Sequence, residues 1–150
     1  MIMKFTNIIK KMVPDQKTQK LKTESFPVAW PNYYAANIKK LARMNPEWKS
    51  PQYTGKKIFR YTYVNKPVEL VPEFNNIIDK NAVAVYIAGE KVGYISADEC
   101  VHVSQILKHA DIKYITAFVG GGQYKVINET GDTFKDEYGI YINVRIAYTW

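Results

Sequence analysis

Residues 82–95 contain the pattern that most constrains the fold of this chain. Ala82 to Ala88 is a run of alanine, valine, tyrosine and isoleucine, a composition typical of β-strands. Gly89-Glu90 can form a tight turn, and Lys91 to Ile95 then resumes a β-prone pattern. The segment therefore predicts a β-hairpin, which the rest of the chain must cover with further strands.

Other segments with an apolar period of two predict the remaining strands. The predicted strands are residues 26–30, 58–63, 68–71, 82–88, 91–95, 112–119, 123–127 and 140–147. Gly120-Gly121-Gly122 predicts a bend between two of these strands. Short strands combined with few helices indicate a mainly β, small mixed barrel. Helices alternate with strands too rarely for a doubly wound parallel sheet.

Two helices are predicted within this barrel. Asn32 is a candidate N-cap for a helix over residues 33–45. Ser96 and Glu99 have the spacing of a capping box, which predicts a second helix from Ser96 to about His109.

A further helix is predicted before the barrel. Residues 2–12 have apolar side chains at helical spacing with lysines on the other face, and a polar, lysine-rich linker follows. We divide the chain into an arm, residues 1–24, and a β-barrel domain, residues 25–150. We expect the apolar face of the arm to pack on the barrel or on a second copy of the chain, which would give self-association. A helix on a membrane surface is the alternative.

Positive charge is concentrated in the first half of the chain. Residues 1–66 contain 14 Lys/Arg and 3 Asp/Glu, whereas residues 67–150 contain 7 and 11. This distribution favours a polyanionic partner, either nucleic acid or an anionic membrane surface, and a solvated basic arm is the alternative. No segment approaches the roughly 20 apolar residues that span a bilayer. With one cysteine and no signal-peptide pattern, we expect a cytoplasmic protein.

The sequence has no pattern of catalytic or metal-binding residues. It contains no P-loop and no nucleophile elbow. The soft metal ligands are Cys100, His102 and His109, and Cys100 and His102 differ by about 200° around a helix, so they cannot share an ion. We expect Cys100 in the core and His102 on the helix surface. The sequence therefore predicts no enzyme, no metal and no cofactor.

A turn and hairpin in the middle of the chain resemble the HIRAN domain family. Residues 75–85 read N-N-I-I-D-K-N-A-V-A-V and residues 92–95 read V-G-Y-I. The family pattern is similar: N-P-x-D-x-N-A-[IV]-x-V, a hairpin, then V-G-[YH]-[IL] and a helix. Upstream, Val28-Ala29 and Asn32-Tyr33-Tyr34 resemble the first strand of the family and the tyrosine loop after it. The resemblance covers residues 25–148.

This resemblance implies an OB-like β-barrel that binds single-stranded nucleic acid, DNA in preference, and captures a free 3′ end. It assigns Asp79 to the terminal 3′-hydroxyl, and Asn76 and Lys80 to the backbone or the terminal base. It implies that Tyr33 stacks on a base and that Tyr94 lies in the same groove. Tyr124 falls near a family aromatic residue. The implied nucleic-acid-binding residues are Asn32, Tyr33, Asn76, Asp79, Lys80, Tyr94 and Tyr124.

The chain departs from the family pattern at two places. Ile77 and Ile78 replace the proline and the aromatic residue that precede the aspartate, which removes one stacking platform, and Asn32 replaces an arginine beside the tyrosine loop. Residues 75–81 also fit an Asx-type turn that only joins two strands. The functional alternative is a protein-interaction module on the same barrel that has lost 3′-end capture.

Overall fold

A computed structural model describes residues 20–49, 55–63 and 66–150. The helix predicted at residues 2–12 lies outside the described residues. In chain order the described elements are β1 (Lys22–Ala29), a 3-10 turn (Pro31–Tyr34), α1 (Ala35–Lys39), β2 (Ala42–Met44), a second 3-10 turn (Pro46–Trp48), β3 (Ile58–Phe59), β4 (Tyr61–Tyr63), β5 (Val68–Pro72), β6 (Val83–Ile87), β7 (Glu90–Ile95), α2 (Cys100–His109), β8 (Asp111–Ile127) and β9 (Thr133–Thr149).

The strands form one large antiparallel sheet that is open. Seven strands pair in the order β3-β8-β9-β1-β7-β6-β5, and β2 pairs with β4 in a small second sheet. The edge strand β5 also lies against β8, so the large sheet curves back toward itself. The prediction of a mainly β, barrel-like domain with few helices is confirmed, and the predicted hairpin is β6 and β7.

The core lies between the curved sheet and α2. On β9 the buried Ile142, Val144 and Ile146 alternate with exposed neighbours, as expected for a strand with one covered face. Val103 of α2 packs into the same cluster with no exposed surface. Burying a side chain of this kind contributes roughly 1.5–3 kcal/mol. Cys100 is buried here too, as predicted.

The first strand differs from its predicted limits at both ends. β1 begins at Lys22, within the predicted linker, because residues 22–27 pair with β9. It ends before Trp30, which was predicted to be buried in the strand but is 63% exposed. Trp30 has a φ of 63°, a left-handed conformation that ends the extended backbone.

The helix predicted at residues 33–45 is wrong in its length and its start. Asn32 caps no helix and lies inside the 3-10 turn, and α1 covers only Ala35–Lys39. Residues 42–44 form β2 instead, because they pair with β4. Long-range pairing has overridden the local helical pattern.

The predicted capping box also fails. The α-helix begins at Cys100 rather than Ser96, and no side chain caps it. The Ser96 carbonyl oxygen accepts a hydrogen bond from the Glu99 N–H at 2.9 Å, so residues 96–99 form a turn ahead of the helix.

The last two strands are longer than predicted, with 17 residues each. The separate strands predicted at 112–119 and 123–127 are one strand, β8, whose pairing with β9 is interrupted by a bulge opposite Gly121. Before the bulge Val119 pairs with Ile142, and after it Tyr124 pairs with Asp136. Gly120 pairs with Tyr141 and Gly122 with Tyr138, so Gly121 of β8 faces both Gly139 and Ile140, and the extra residue of the bulge lies on β9.

Two classes of feature are absent from the described part of the chain. Its helices are too short or too polar to cross a membrane. It also has no group of three or more His, Cys, Asp or Glu side chains that could hold a metal ion.

Glu24 ties β1 to β9 and α2. Its Oε1 atom accepts a hydrogen bond from the Tyr148 hydroxyl and lies 2.9 Å from His102 Nε2. The hydrogen bond from Tyr148, with the contribution of His102, holds the pKa of Glu24 below its ordinary value against the effect of burial. Burial and the hydrogen bond to Glu24 raise the pKa of Tyr148 to about 12.

Glu24→Gln is expected to lower the free energy of unfolding at neutral pH by about 1 kcal/mol, since the site is partly exposed. The folded pKa of Glu24 is depressed, so its contribution is present above the unfolded pKa and is lost as pH falls through the folded pKa. Urea unfolding should be measured from about pH 7 down to about pH 3. The free energies of unfolding of wild type and Glu24→Gln should become equal at the acid end of this range. A gap that stays constant across this range would contradict the assignment.

Candidate nucleic-acid interface

A groove of about 690 Å³ lies where the turn after β1, the loop before β6 and the strand β7 meet. It brings together four of the predicted site residues: Tyr33, Asn76, Asp79 and Tyr94. The lining also includes Trp30, Tyr34, Ile78 and Cys100. We call this site the aromatic groove.

Four aromatic side chains form a connected wall of the groove. The ring of Tyr94 is 6.4 Å from Trp30 and 6.4 Å from Tyr34, centroid to centroid, and Tyr34 is 5.1 Å from Tyr33. All three contacts are edge-to-face, an arrangement that aromatic pairs favour. Trp30 and Tyr33 are 63% and 83% exposed, so large parts of their surfaces remain available to a ligand.

Gly93 lets this wall assemble. Its φ is 150°, and a Cβ atom there would lie 2.6 Å from the carbonyl oxygen of Ala29. Only glycine allows β1 to approach β7 this closely. The resulting pairing of Ala29 with Tyr94 places the next residue, Trp30, beside the Tyr94 ring.

Two Asx turns hold the loop that carries Asp79. Asn76 Oδ1 accepts hydrogen bonds from the N–H groups of Ile78 and Asp79 at 2.9 and 3.0 Å. Asp79 Oδ1 accepts one from the Asn81 N–H at 2.8 Å. The Asx-type turn that the sequence left open is therefore present. It does not exclude a binding role, because the same turns aim Asp79 at the groove.

The second oxygen of Asp79 faces Cys100. The Cys100 thiol lies 3.7 Å from Asp79 Oδ2 and donates to it weakly, while its contact with the Ala97 carbonyl oxygen is 3.3 Å. Burial, and then the negative charge of Asp79, raise the pKa of this thiol. Each carboxylate oxygen accepts about two hydrogen bonds, so Asp79 retains acceptor capacity toward the groove.

A polar network behind the wall fixes Tyr94. Its hydroxyl donates to Glu73 Oε1 at 2.9 Å and lies 2.6 Å from Lys91 Nζ, which also contacts Glu73 Oε2 at 3.0 Å. Asn76 donates to the same carboxylate at 3.1 Å. Burial opposes both charges, yet these bonds lower the pKa of Glu73 and raise that of Lys91. The network joins the Asp79 loop to the hairpin.

Three predicted site residues lie outside this lining. Asn32 is exposed in the 3-10 turn next to Tyr33. Lys80 points to the other side of its loop, where it lines a second, smaller groove. Tyr124 lies on β8 in a separate cluster with Tyr138.

The cluster around Tyr124 has its own aromatic and cationic character. Tyr124 and Tyr138 stack with centroids 4.8 Å apart, and Phe59 packs against both. Lys57 Nζ lies 4.9 Å from the Tyr138 centroid and 5.6 Å from that of Tyr124. Tyr124 pairs with Asp136 on β9 and with Phe59 on β3, which brings its ring beside Phe59 and Tyr138.

Trp30 and the pair Glu73 and Lys91 belong to the groove and its supporting network but were not predicted from the sequence. Trp30 stands at the end of an apolar run and directly before a proline, and a residue before proline is biased away from helical backbone. The proline predicts the end of the strand, but nothing in the local sequence indicates that the Trp30 ring is exposed. Glu73 and Lys91 are 18 residues apart and have no local pattern that could pair them.

Comparison with known proteins agrees with the motif at the loop and hairpin. The HIRAN domain family model matches residues 49–138, more than half of the chain. The matched segment contains Asn76, Asp79 and Tyr94, whereas Trp30 and Tyr33 precede it. No curated protein and no solved structure matches the chain. The chain therefore belongs to the HIRAN domain family, whose domains are generally nucleic-acid-binding modules with an OB-like fold.

Proposed function

We propose that the aromatic groove binds the end of a single strand of nucleic acid, preferably DNA, through a free 3′-hydroxyl. The observation that carries this proposal is the composition of the lining: exposed aromatic rings surround one carboxylate. Among the described residues that line the groove, Asp79 is the one charged side chain. A lining of this kind suits bases and a neutral terminal group better than phosphates.

Stacking supplies the affinity in this proposal. Each base stacked on an aromatic side chain is worth roughly 1–3 kcal/mol, and stacking tolerates any base. Trp30 and Tyr33 are the most exposed rings at the groove. Trp30 lines the same groove as Ile78, so we assign to Trp30 the stacking role of the aromatic residue that Ile78 replaces in the family pattern.

Asp79 supplies the preference for a chain end. A carboxylate accepts a hydrogen bond from a terminal hydroxyl, whereas a phosphate at the same place would be repelled. The Asx turns fix the backbone of Asp79, so the carboxylate needs little reorganisation to accept the hydroxyl.

Phosphates along the strand require cations elsewhere. Lys91 sits behind the wall, and its charge is balanced by Glu73. Lys57 and the stacked Tyr124 and Tyr138 form a surface where bases farther from the 3′ end could stack. We assign Tyr124 this role. Tyr124→Ala should therefore weaken the binding of long single strands more than the binding of very short ones.

Tyr33→Ala and Trp30→Ala are each expected to weaken binding of a short single-stranded DNA by about 1–3 kcal/mol. Fluorescence anisotropy with a 5′-labelled oligonucleotide measures the effect. Phe134→Ala is the matched control, because Phe134 is 60% exposed on β9 and lies outside the groove. Equal loss in all three variants, or no loss in the first two, would refute the groove as the binding site.

A further inference from the structure

We propose that the second groove, beside α2, is a docking site for an acidic, apolar peptide segment of a partner protein. This groove has a volume of about 320 Å³ and lies between α2 and the outer side of the 73–82 loop. We call it the lysine groove and define it by Phe74, Lys80, Val101, Leu107 and Lys108. Its lining shares Ala82 with the aromatic groove but includes neither Asp79 nor the aromatic wall, and the proposal needs no nucleic acid.

The apolar part of this groove is exposed. Phe74 is 77% exposed and Val101 is 52% exposed, and both line the groove. Leu107 and Pro72 extend the apolar surface between them. The volume suits a few aliphatic or aromatic side chains from a short segment.

The charged side chains among the described lining residues of the groove are all positive. Lys80 and Lys108 are exposed lining residues, and the described lining includes no Asp or Glu. A partner carrying carboxylates next to apolar side chains would match both parts at once. The expected occupant is therefore an acidic, apolar segment rather than a basic or purely apolar one.

The lining favours a peptide over nucleic acid. Single-stranded nucleic acid is recognised by several stacked aromatic rings, and Phe74 is the one aromatic residue among the described lining residues. The remaining neutral side chains are aliphatic or small polar groups, which suit side chains of a peptide.

The test is a selection of displayed random linear peptides on the full chain, with counter-selection on Val101→Glu. Val101 is exposed on α2, and glutamate is a good helix former, so this variant should keep its fold, as circular dichroism can verify. We expect the enriched peptides to combine Asp or Glu with Leu, Ile, Met or Phe. A synthetic copy of the most enriched peptide should bind wild type and lose about tenfold or more in affinity on Val101→Glu and on Lys108→Glu.

Two controls make the result specific. Lys135→Glu makes the same charge change on β9, outside the groove, and should leave peptide affinity within about twofold. Tyr33→Ala should also leave it unchanged, because it alters the aromatic groove. Peptide binding can thus succeed or fail independently of the proposed function.

Three outcomes would overturn the proposal. One is that no peptide distinguishes wild type from Val101→Glu, and another is that the enriched peptides lack acidic residues. The third is that Lys108→Glu weakens the binding of single-stranded DNA as strongly as Tyr33→Ala does. That result would indicate that this groove binds nucleic acid.

Discussion

An oligonucleotide ending in a 3′-hydroxyl is expected to bind at least about tenfold more tightly than the same oligonucleotide ending in a 3′-phosphate, a difference of 1.4 kcal/mol or more. The cause is the Asp79 carboxylate at the aromatic groove. At an effective dielectric constant of about 20, two unit charges 4 Å apart repel by about 4 kcal/mol. Asp79 is half-buried, so solvent and salt screen part of this repulsion.

Two variants separate charge from structure at this position. Asp79→Asn removes the charge but keeps an oxygen that can accept the Asn81 N–H, so the Asx turn survives. Asp79→Asn should reduce the difference in affinity between the 3′-hydroxyl and the 3′-phosphate oligonucleotide. Asp79→Ala loses both the charge and the turn hydrogen bond, and should also weaken binding of the 3′-hydroxyl form. Titrations by fluorescence anisotropy at one fixed salt concentration measure all of these affinities.

The proposal of end capture is refuted if the wild-type protein binds both oligonucleotides with equal affinity. Tyr33→Ala then becomes informative. If it still weakens both forms, the groove binds single strands without regard to their ends. If it weakens neither, nucleic acid does not use this groove at all.

Gly121→Ala is expected to have the largest effect on stability of any single alanine substitution proposed for this chain. Gly121 has a φ of 88°, and an alanine there costs roughly 1–2 kcal/mol in backbone conformation. Its Cβ would also overlap the carbonyl oxygen of Gly139 on β9, and backbone cannot move aside cheaply. Overpacking of this kind adds about 1–3 kcal/mol. Urea unfolding followed by circular dichroism measures the loss.

Gly131 provides a matched control for this prediction. It also has a φ of 88°, but a Cβ atom there would meet nothing within 4 Å. Gly131→Ala should therefore show the conformational cost alone, about 1–2 kcal/mol. The difference between the two variants reports the clash with Gly139. Equal losses would mean that the bulge adjusts around the added methyl group.

The central motif of the candidate site could be predicted because it is local. Asn76, Asp79 and Asn81 lie within six residues, and the side chains of Asn76 and Asp79 accept hydrogen bonds from backbone N–H groups of the same turn. Such turns depend on short-range chemistry that the sequence displays directly. The hairpin that follows is equally local, and it also formed as predicted.

The features that were predicted wrongly depend on distant pairing. Lys22 joins the sheet because Tyr148 lies opposite it, and residues 42–44 are a strand because β4 is their partner. The predicted role of Lys80 stays a prediction, although Lys80 lines the lysine groove rather than the aromatic groove. Local patterns carry no information about partners more than a few turns away.

The polar network behind Tyr94 has a consequence for how few nucleotides a ligand needs. Tyr94 is held by Glu73 and Lys91 in the free protein, so its side chain has already lost its freedom during folding. A ligand then gives up less conformational entropy of the protein when it binds. If the groove binds nucleic acid as proposed, a ligand of only a few nucleotides should therefore already bind measurably.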